Sequence, residues 1–520
     1  MLATIHSATL DGLDGRVIRV EVDVAPGLPG FTIVGLADTA LKEARERVRG
    51  GIRNSGFTYP PRRITVNLAP ADLRKGGASL DLAIAAAILI GSEQVRAAGR
   101  WALIGELSLG GEVRSVPGVL PMVAALVRRG VRHVVVPADR STEAGLIEGV
   151  DAVGVASLGE AMAAIRPAGR RTRTPSAMAR VELASGAARP ATGDTTSALS
   201  SGPDLADVRG QLEARRALEI AMAGGHGILL VGPPGVGKTL LARTIPGLLP
   251  PLDDRAALAA TIVDSVAGEL PVTGLVRHAP FRAPHHTVSY AGMVGGGPRL
   301  APGEVTRADH GVLFLDELAE FDRDVLEALR QPLEDGCVTI VRAGRAEAFP
   351  ARFQLVAAMN PCPCGMAGTD GVRCICPGTV ADRYANRISG PLRDRIDLWV
   401  TMPRVAPRAL VTAADPEGSA VVAARVAAAR ARQRSRGATL NARLAGRALR
   451  AACRLDRAAE ERAVALADLD GLSGRGTERL LRVARTIADL ADSTAVDASA
   501  LEEAARYRPR SSSSDRRMAV

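Results

Sequence analysis

Apolar positions along the chain fall into short runs separated by Gly, Pro and charged clusters, and the runs are of two kinds. Val17 to Val24, Arg63 to Leu68 and His133 to Val136 are strand-like, whereas Leu80 to Ile90 and Leu120 to Arg129 are Ala-rich and of helical length. Their mixture over residues 1–166 predicts an α/β domain. Residues 167–203 are Arg, Ser, Thr, Pro, Gly and Ala with hardly any large apolar residue, which predicts a flexible linker. Residues 204–403 hold strands ending at Gly232, Asp316 and Asn360 with helices between them, the order of a parallel-sheet nucleotide domain. From 404 to 507 Ala, Arg and Leu recur at helical spacing, predicting a small helical domain, and residues 508–520 read as a disordered tail.

Composition narrows the partners. A chain of 520 residues exceeds one ordinary core, so roughly two to four domains are expected. The formal net charge of +10 points to a polyanionic partner, although charge alone does not separate nucleic acid from a membrane surface. Of the 66 basic residues only Lys42, Lys75 and Lys238 are lysines. Genomic base composition accounts for part of that bias, and guanidinium suits phosphate contacts. Aromatic residues make up 2% of the chain, which argues against single-strand binding by rows of stacked rings. The N-terminus lacks a basic region followed by an apolar core, and no run reaches the ~18 apolar residues of a membrane span. A soluble, cytoplasmic protein with no membrane partner is therefore expected.

The sharpest chemical signal is Gly232-Pro233-Pro234-Gly235-Val236-Gly237-Lys238-Thr239, preceded by the apolar run Ile228 to Val231 and followed by a helical start at Leu240. A buried strand that empties into a Gly-rich turn and then a helix is the setting of a P-loop. Its backbone N–H groups close around phosphates, Lys238 reaches the β- and γ-phosphates, and Thr239 holds Mg²⁺. The chain is thus expected to bind a nucleoside triphosphate with Mg²⁺. Downstream, Val312 to Leu315 is a second apolar strand ending in Asp316 and Glu317. Asp316 is expected to hold Mg²⁺ through water and Glu317 to orient and deprotonate the attacking water; the alternative is a helix N-terminus decorated with acids. A third strand, Leu355 to Met359, ends at Asn360, placed to stand beside the water and the γ-phosphate. In Ser389-Gly390-Pro391-Leu392-Arg393-Asp394-Arg395-Ile396-Asp397 an Arg is suited to charge on a transferring phosphoryl group in a neighbouring subunit, and equally to pairing with Asp394 or Asp397.

Four of the six cysteines, Cys362, Cys364, Cys374 and Cys376, lie in two C-x-C pairs around a Gly-rich loop. In a reducing compartment they suggest a structural Zn²⁺ rather than disulfides, with reduced, unliganded thiols as the alternative. Cys337 to Arg342, then Ala343 to Ala346, then Glu347 to Phe349 read as a hairpin carrying Arg342 and Arg345, which is either a phosphate-contacting element or a solvated turn. The adjacent His285 and His286 invite a metal reading, but neighbours in sequence do not share a helix face, and a loop role is preferred.

Taken together these segments resemble an AAA+ ATPase. F-R-A-P-H-H-T-V-S (Phe281 to Ser289), G-V-L-F-L-D-E-L (Gly311 to Leu318), L-R-Q-P-L-E-D-G (Leu329 to Gly336) and S-G-P-L-R-D-R-I-D are similar to the magnesium-chelatase-like ATPases of the ComM/YifB family. The likeness extends to G-L-P-G-F-T-I-V-G-L-A-D-T-A (Gly27 to Ala40) and N-L-A-P-A-D-L (Asn67 to Leu73), so it covers nearly the whole chain. It implies an N-terminal Lon-protease-like α+β domain over 1–166, an AAA+ α/β core with a parallel sheet over 204–403 that carries the Cys-rich insertion 362–376, and a helical lid over 404–507. It also implies Asn360 as the sensor-1 residue, Arg395 as the arginine finger and Arg475 at the sensor-2 position of the lid. Arg393 departs from the pattern, which has an apolar residue there.

Lys75 to Asp81 resembles the turn that carries the nucleophilic Ser of Lon-type proteases, and Gly105 to Gly130 the segment that carries their Lys base. Ser79 falls at the nucleophile, but Leu120 falls where the Lys belongs, and no Lys occurs between Lys75 and Lys238. Arg stays protonated and cannot take the hydroxyl proton, so proteolysis is not expected. The resemblance implies a homo-hexameric ATPase that moves on single-stranded or branched DNA, with branch migration or helicase activity in homologous recombination or natural transformation, and with hairpin arginines Arg342 and Arg345 facing the pore. The rivals are a protein remodeller of magnesium-chelatase or chaperone type and a nucleotide-gated scaffold with slow hydrolysis.

Overall fold

A computed structural model describes residues 1–34, 39–70, 78–167, 202–268, 272–297, 300–342, 345–368, 373–406, 408, 416–437 and 439–508. Apart from residues 167, 202, 203 and 508, the expected linker and tail lie outside these described residues. The chain packs as two compact units, one within 1–189 and 257–276 and the other within 190–256 and 277–520.

The first unit is built on a seven-stranded sheet. Strands β1 (Leu2–Asp11), β2 (Asp14–Ala25), β3 (Gly30–Val34) and β4 (Arg63–Ala69) form one half, with helices α1 (Thr39–Asn54) and α2 (Asp81–Gly91). Strand β5 (Trp101–Leu103), helix α3 (Val119–Arg128), strands β6 (His133–Pro137) and β7 (Asp151–Val155) and helix α4 (Leu158–Ile165) complete it. The strand order is β3-β4-β2-β1-β5-β6-β7. In β2, Ile18, Val20, Val22 and Val24 are buried while Arg19 and Asp23 are exposed, the period-two pattern of a strand with one covered face. Helix α2 is buried from Asp81 through Leu89, because it packs against β1, β2 and α1. Each buried Leu or Ile there contributes roughly 1.5–3 kcal/mol.

The helix Asp254–Ala267 supplies most of residues 257–276 to this unit, far along the chain from the rest of it. The reason is a buried carboxylate. Glu143, fully buried, accepts from the Leu120 N–H at 3.0 Å, from Arg140 Nη1 at 3.1 Å and from the Ser265 hydroxyl. The Ser265 carbonyl accepts from the Gly118 N–H at 2.8 Å. A buried charge survives only with such partners.

In the second unit, α5 (Leu212–Gly224), β8 (Ile228–Val231) and α6 (Lys238–Arg243) lead to β9 (Phe281–Arg282) and β10 (Val312–Leu315). The hairpin β11 (Cys337–Arg342) and β12 (Arg345–Pro350) follows, then β13 (Gln354–Met359) and β14 (Leu398–Thr401). Strands β9-β10-β13-β8-β14 form a five-stranded sheet in that order, with every pairing parallel. All of β10 and β13 is buried, as expected of a parallel sheet covered on both faces. Among the described residues, five helices then form the C-terminal region: α7 (Ser419–Gly437), α8 (Gly446–Cys453), α9 (Arg457–Leu469), α10 (Gly474–Leu490) and α11 (Ala498–Arg506). Asp456, Ser473 and Asp497 start α9, α10 and α11 by accepting the N–H groups of Ala459, Gly476 and Ala500, worth about 1 kcal/mol each. Among the described residues no helix is long and apolar enough to cross a membrane.

Candidate functional site

The C-terminal ends of β8, β10 and β13 meet at one edge of the sheet, because the register pairs Val231 with Met359 and Leu315 with Ala357. Everything that follows these strands is therefore brought together. After β8 the P-loop turns through Gly235 and Gly237 at φ of +81° and +94°, a region where a side chain is strained. Lys238 opens α6 and is buried; its ammonium donates to the carbonyls of Gly232 at 2.7 Å and Pro233 at 2.9 Å and to Asn360 Oδ1 at 3.0 Å. Burial holds its pKa below the usual lysine value, with Asp316 and Glu317 pulling the other way. Phosphate oxygens of a bound nucleotide would compete for the same three protons. Thr239 Oγ1 donates to Asp316 Oδ2 at 2.6 Å, so a hydroxyl and a carboxylate, the oxygen donors a hard cation such as Mg²⁺ takes, stand side by side.

Asp316 also accepts the Glu317 N–H at 2.9 Å. Glu317 itself sits at φ +53°, a left-handed conformation that costs a non-glycine residue on the order of 1–3 kcal/mol. Its half-exposed carboxylate lies 3.4 Å from His286 Nδ1. That contact was not legible in the sequence; the only trace of it is that the paired histidines follow a short strand that pairs with β10. Gln211 is a second such residue: its amide donates to the carbonyl of Pro403 at 2.7 Å and of Val236 at 3.4 Å, bracing the P-loop from outside.

The arginines divide. Arg395 is mostly buried, donates to the Pro391 carbonyl at 2.8 Å and pairs with Glu334. Arg393 donates to the carbonyls of Ile388 at 3.0 Å and of Ala385. Neither uses the aspartates of its own segment as its ion pair. Asp394 is instead held by Arg479 Nη2 at 3.2 Å, from the second turn of α10. Asp397 Oδ2 shares a 2.8 Å hydrogen bond with the buried His226, whose other nitrogen contacts Thr486 Oγ1 of α10 at 2.7 Å. Helix α10 is thus tied to the arginine segment at two points, while Arg475 stands exposed in its first turn. Arg395→Ala is expected to retain ATP affinity per subunit and to lose turnover by about 10³-fold or more, since a finger acts on the transition state across an interface. Mixing it with Lys238→Ala subunits should restore part of the activity. If no mixture recovers, the assignment across an interface fails and Arg393 is the next residue to replace.

The backbone of β11 and β12 forms the expected hairpin, with Cys337 opposite Pro350 and Arg342 opposite Arg345. The two residues thus pair in backbone register on the last rung, and Arg345 opens the second strand rather than lying in the turn. In the Cys-rich segment the sulfurs of Cys362, Cys364, Cys374 and Cys376 all lie within 4.8 Å of one another. Three of the separations are 3.4, 3.7 and 3.6 Å. A tetrahedron with metal–sulfur bonds of ~2.3 Å has edges of about 3.8 Å, so the donor set fits a Zn²⁺ ion. The backbone N–H groups of Ile375 and Met366 hold the Cys364 thiol below the usual thiol range, while burial and the neighbouring cysteine sulfurs push Cys374 and Cys376 up. Elemental analysis is expected to find about one zinc per chain. Replacing Cys362 and Cys364 by Ser should release it and raise protease sensitivity between 362 and 376. Metal-free wild-type protein with an unchanged cleavage pattern would remove the idea.

In the first unit Ser79 is buried and donates to the Ala8 carbonyl at 3.2 Å. Leu120 is a fully buried core residue of α3. Leu120, which the resemblance sets at the Lys position of Lon-type proteases, carries no base.

Three family patterns match the chain: magnesium chelatase, subunit ChlI, over residues 204–410, subunit ChlI of Mg-chelatase over 20–140, and magnesium chelatase, subunit ChlI C-terminal, over 416–508. Protein YifB of Escherichia coli is 44% identical over 514 residues, which is 98% of this chain and 97% of that one. Competence protein ComM of Haemophilus influenzae is 41% identical over 513 residues, again 98% and 97% of the two chains. The magnesium-chelatase 67 kDa subunit of Heliobacterium mobile is 27% identical over 219 residues, 36% of this chain and 30% of its own.

Proposed function

The chain belongs to the ComM/YifB family of magnesium-chelatase-like AAA+ proteins, and on that basis we propose that it is an ATP-driven hexameric motor acting on DNA. The observation that carries the ATPase reading is the convergence of Lys238, Thr239, Asp316 and Asn360 through hydrogen bonds of 2.6–3.0 Å, with Glu317 adjoining. Mg²⁺ supplies charge neutralisation at the phosphates when bound, and Thr239 and Asp316 are the residues that would hold it. Lys238 holds the β- and γ-phosphates, Asn360 positions the water, and Glu317 takes its proton. Arg395 of a neighbouring subunit meets the charge that develops on the γ-phosphoryl group, and Arg475 serves from the helical lid.

Three observations support DNA as the track. One relative carries the name competence protein. The chain has a formal net charge of +10. A hairpin ending in two arginines stands between the strand that ends in the acids and the strand that ends in Asn360. Branch migration or helicase action in recombination or transformation is the activity we assign, and the first unit serves assembly or substrate engagement rather than proteolysis. Likeness to a magnesium-chelatase subunit favours the rival, an ATP-driven remodeller of a protein partner. The two are separated by ATP hydrolysis measured without DNA, with single-stranded DNA and with branched DNA, at two salt concentrations. Stimulation by DNA that weakens as salt rises supports the motor. Rates indifferent to DNA at both salts favour the remodeller.

A further inference from the structure

We propose that the cysteine turn at 362–368 is a buttress of the phosphate loop, so that metal held by Cys362, Cys364, Cys374 and Cys376 tightens nucleotide binding. The inference rests on the P-loop as the nucleotide site and on the four thiols as a metal site, and it joins the two. Strand β13 leads into Asn360, whose Oδ1 accepts from Lys238, and the buried Cys362 follows two residues later. The Gly365 N–H donates to the Cys362 carbonyl at 2.9 Å, closing a tight turn with Gly365 at φ +78°. That turn lays Gly365 against the P-loop. A methyl group on Gly365 would stand 2.6 Å from Pro234 Cδ and 3.2 Å from its Cγ. The exit of β14 touches the loop as well, since the Met402 N–H donates to the Val231 carbonyl at 2.7 Å. Arg404 Nη2 then reaches Met366 Sδ at 3.5 Å, which joins that exit to the cysteine turn.

Apolar burial does little to hold that turn in place. Among the described residues from 363 to 380 only Gly365 is buried, and Ile375 has 82% of its surface exposed. With so small a core, the segment depends for rigidity on cross-linking of its sulfurs. Three sulfur pairs stand 3.4, 3.7 and 3.6 Å apart. The Ala367 N–H donates to Cys362 Sγ at 3.3 Å, an outer hydrogen bond of the kind that orients a metal ligand. The phosphate loop needs such a support. Gly235 and Gly237 sit at positive φ with no neighbouring atom within 4 Å of the place of a side chain, so the loop has backbone freedom and no packing at those points. Its N–H groups must nonetheless keep one arrangement, because a misplacement of about 1 Å can cost on the order of 100-fold. A ligated cluster that keeps Gly365 on Pro234 fixes one wall of the loop. Bound phosphate fixes the loop from inside, and through Pro234 it steadies Gly365 and the cysteines beside it. Each site therefore raises the affinity of the other by the same factor.

The test uses the full chain, with Mg²⁺–ADP titrated by calorimetry and zinc removed by a zinc-selective chelator. Zinc removal should weaken ADP binding roughly tenfold, inside the range of about 5–150-fold usual for coupled sites, and added Zn²⁺ should restore it. Saturating ADP should raise zinc affinity by the same factor. A variant that keeps all four thiols separates the brace from unfolding on zinc loss. Gly365→Ala should hold about one zinc per chain and bind ADP roughly tenfold more weakly, since its methyl group meets Pro234. Gly368 is exposed, at φ +68°, with nothing within 4 Å of the place of a side chain. Gly368→Ala thus carries a like backbone strain without the contact, and should bind ADP within about threefold of wild type. ADP affinity indifferent to zinc, or zinc affinity indifferent to ADP, overturns the proposal. Equal losses in Gly365→Ala and Gly368→Ala also overturn it, in favour of strain in the turn. The two readings beneath it fail separately. Wild-type protein that binds no ADP removes the P-loop assignment, and wild-type protein that binds ADP but no zinc removes the metal site.

Discussion

Glu317→Gln should bind ATP and hardly hydrolyse it, whereas Lys238→Ala should fail to bind it at all. The two substitutions act on different halves of one site. Lys238 spends three hydrogen-bond donors within the P-loop and on Asn360, and these are the donors a triphosphate would take over. Charge-assisted hydrogen bonds contribute about 1.5–3 kcal/mol each, so losing the ammonium should cost at least about 100-fold in affinity. Glu317→Gln keeps the Thr239–Asp316 pair and replaces only the group that takes the proton. General base catalysis contributes roughly 10²–10⁴-fold, and a loss of that order in kcat is expected with binding intact. Nucleotide titration and phosphate release under the same conditions decide both. Normal turnover in Glu317→Gln would remove the assignment of the water-activating residue.

The second large effect is expected at the hairpin. Arg342→Ala combined with Arg345→Ala should abolish DNA stimulation, measured as the ratio of each protein's rate with DNA to its own rate without. Branch migration should fall with it. Arg342 and Arg345 share the last backbone rung of β11 and β12, and each is proposed to contact a phosphate. Each lost phosphate contact should flatten the dependence of log affinity on log salt by about 0.7–0.9. The loss should be alike across DNA sequences, because backbone contacts carry no base information. A protein with no DNA stimulation in the wild type, and with DNA binding unaffected by the double substitution, would be a remodeller.

What the sequence made legible is whatever is local. Val17 to Val24 lies within β2, and Leu80 to Ile90 nearly coincides with α2, since burial on one face or all round writes itself into consecutive residues. The P-loop, Asp316 with Glu317, and Asn360 were legible because each ends an apolar strand, and a parallel sheet gathers strand ends at one edge. The partners of these residues were not. His286 reaches Glu317 only through the pairing of β9 with β10, and a two-residue strand such as Phe281–Arg282 leaves no periodicity to read. Arg395 was expected to reach outward or to pair with a neighbouring aspartate. Its carboxylate partner is Glu334, in the segment just before the hairpin, a contact set by tertiary packing. For Arg395 to act in another subunit, as proposed, this ion pair must open, and nothing in the spacing of S-G-P-L-R-D-R-I-D announces that.

The seating of Ser265 against Glu143 has a consequence for the order in which the protein is made. Domains generally fold as they leave the ribosome, the N-terminal one first. Here the first unit includes residues 257–276, and the Glu143 carboxylate gains its hydroxyl partner only when Ser265 has been synthesised. The P-loop, at 232–239, emerges before that point. The N-terminal unit therefore completes its packing late, after the first strand and phosphate loop of the second unit already exist. A fragment ended at the foreseen boundary near residue 166 would carry a buried glutamate stripped of one of its three donors. Nascent chains stalled just before and just after residue 276 has cleared the exit tunnel should differ in protease resistance within 118–144.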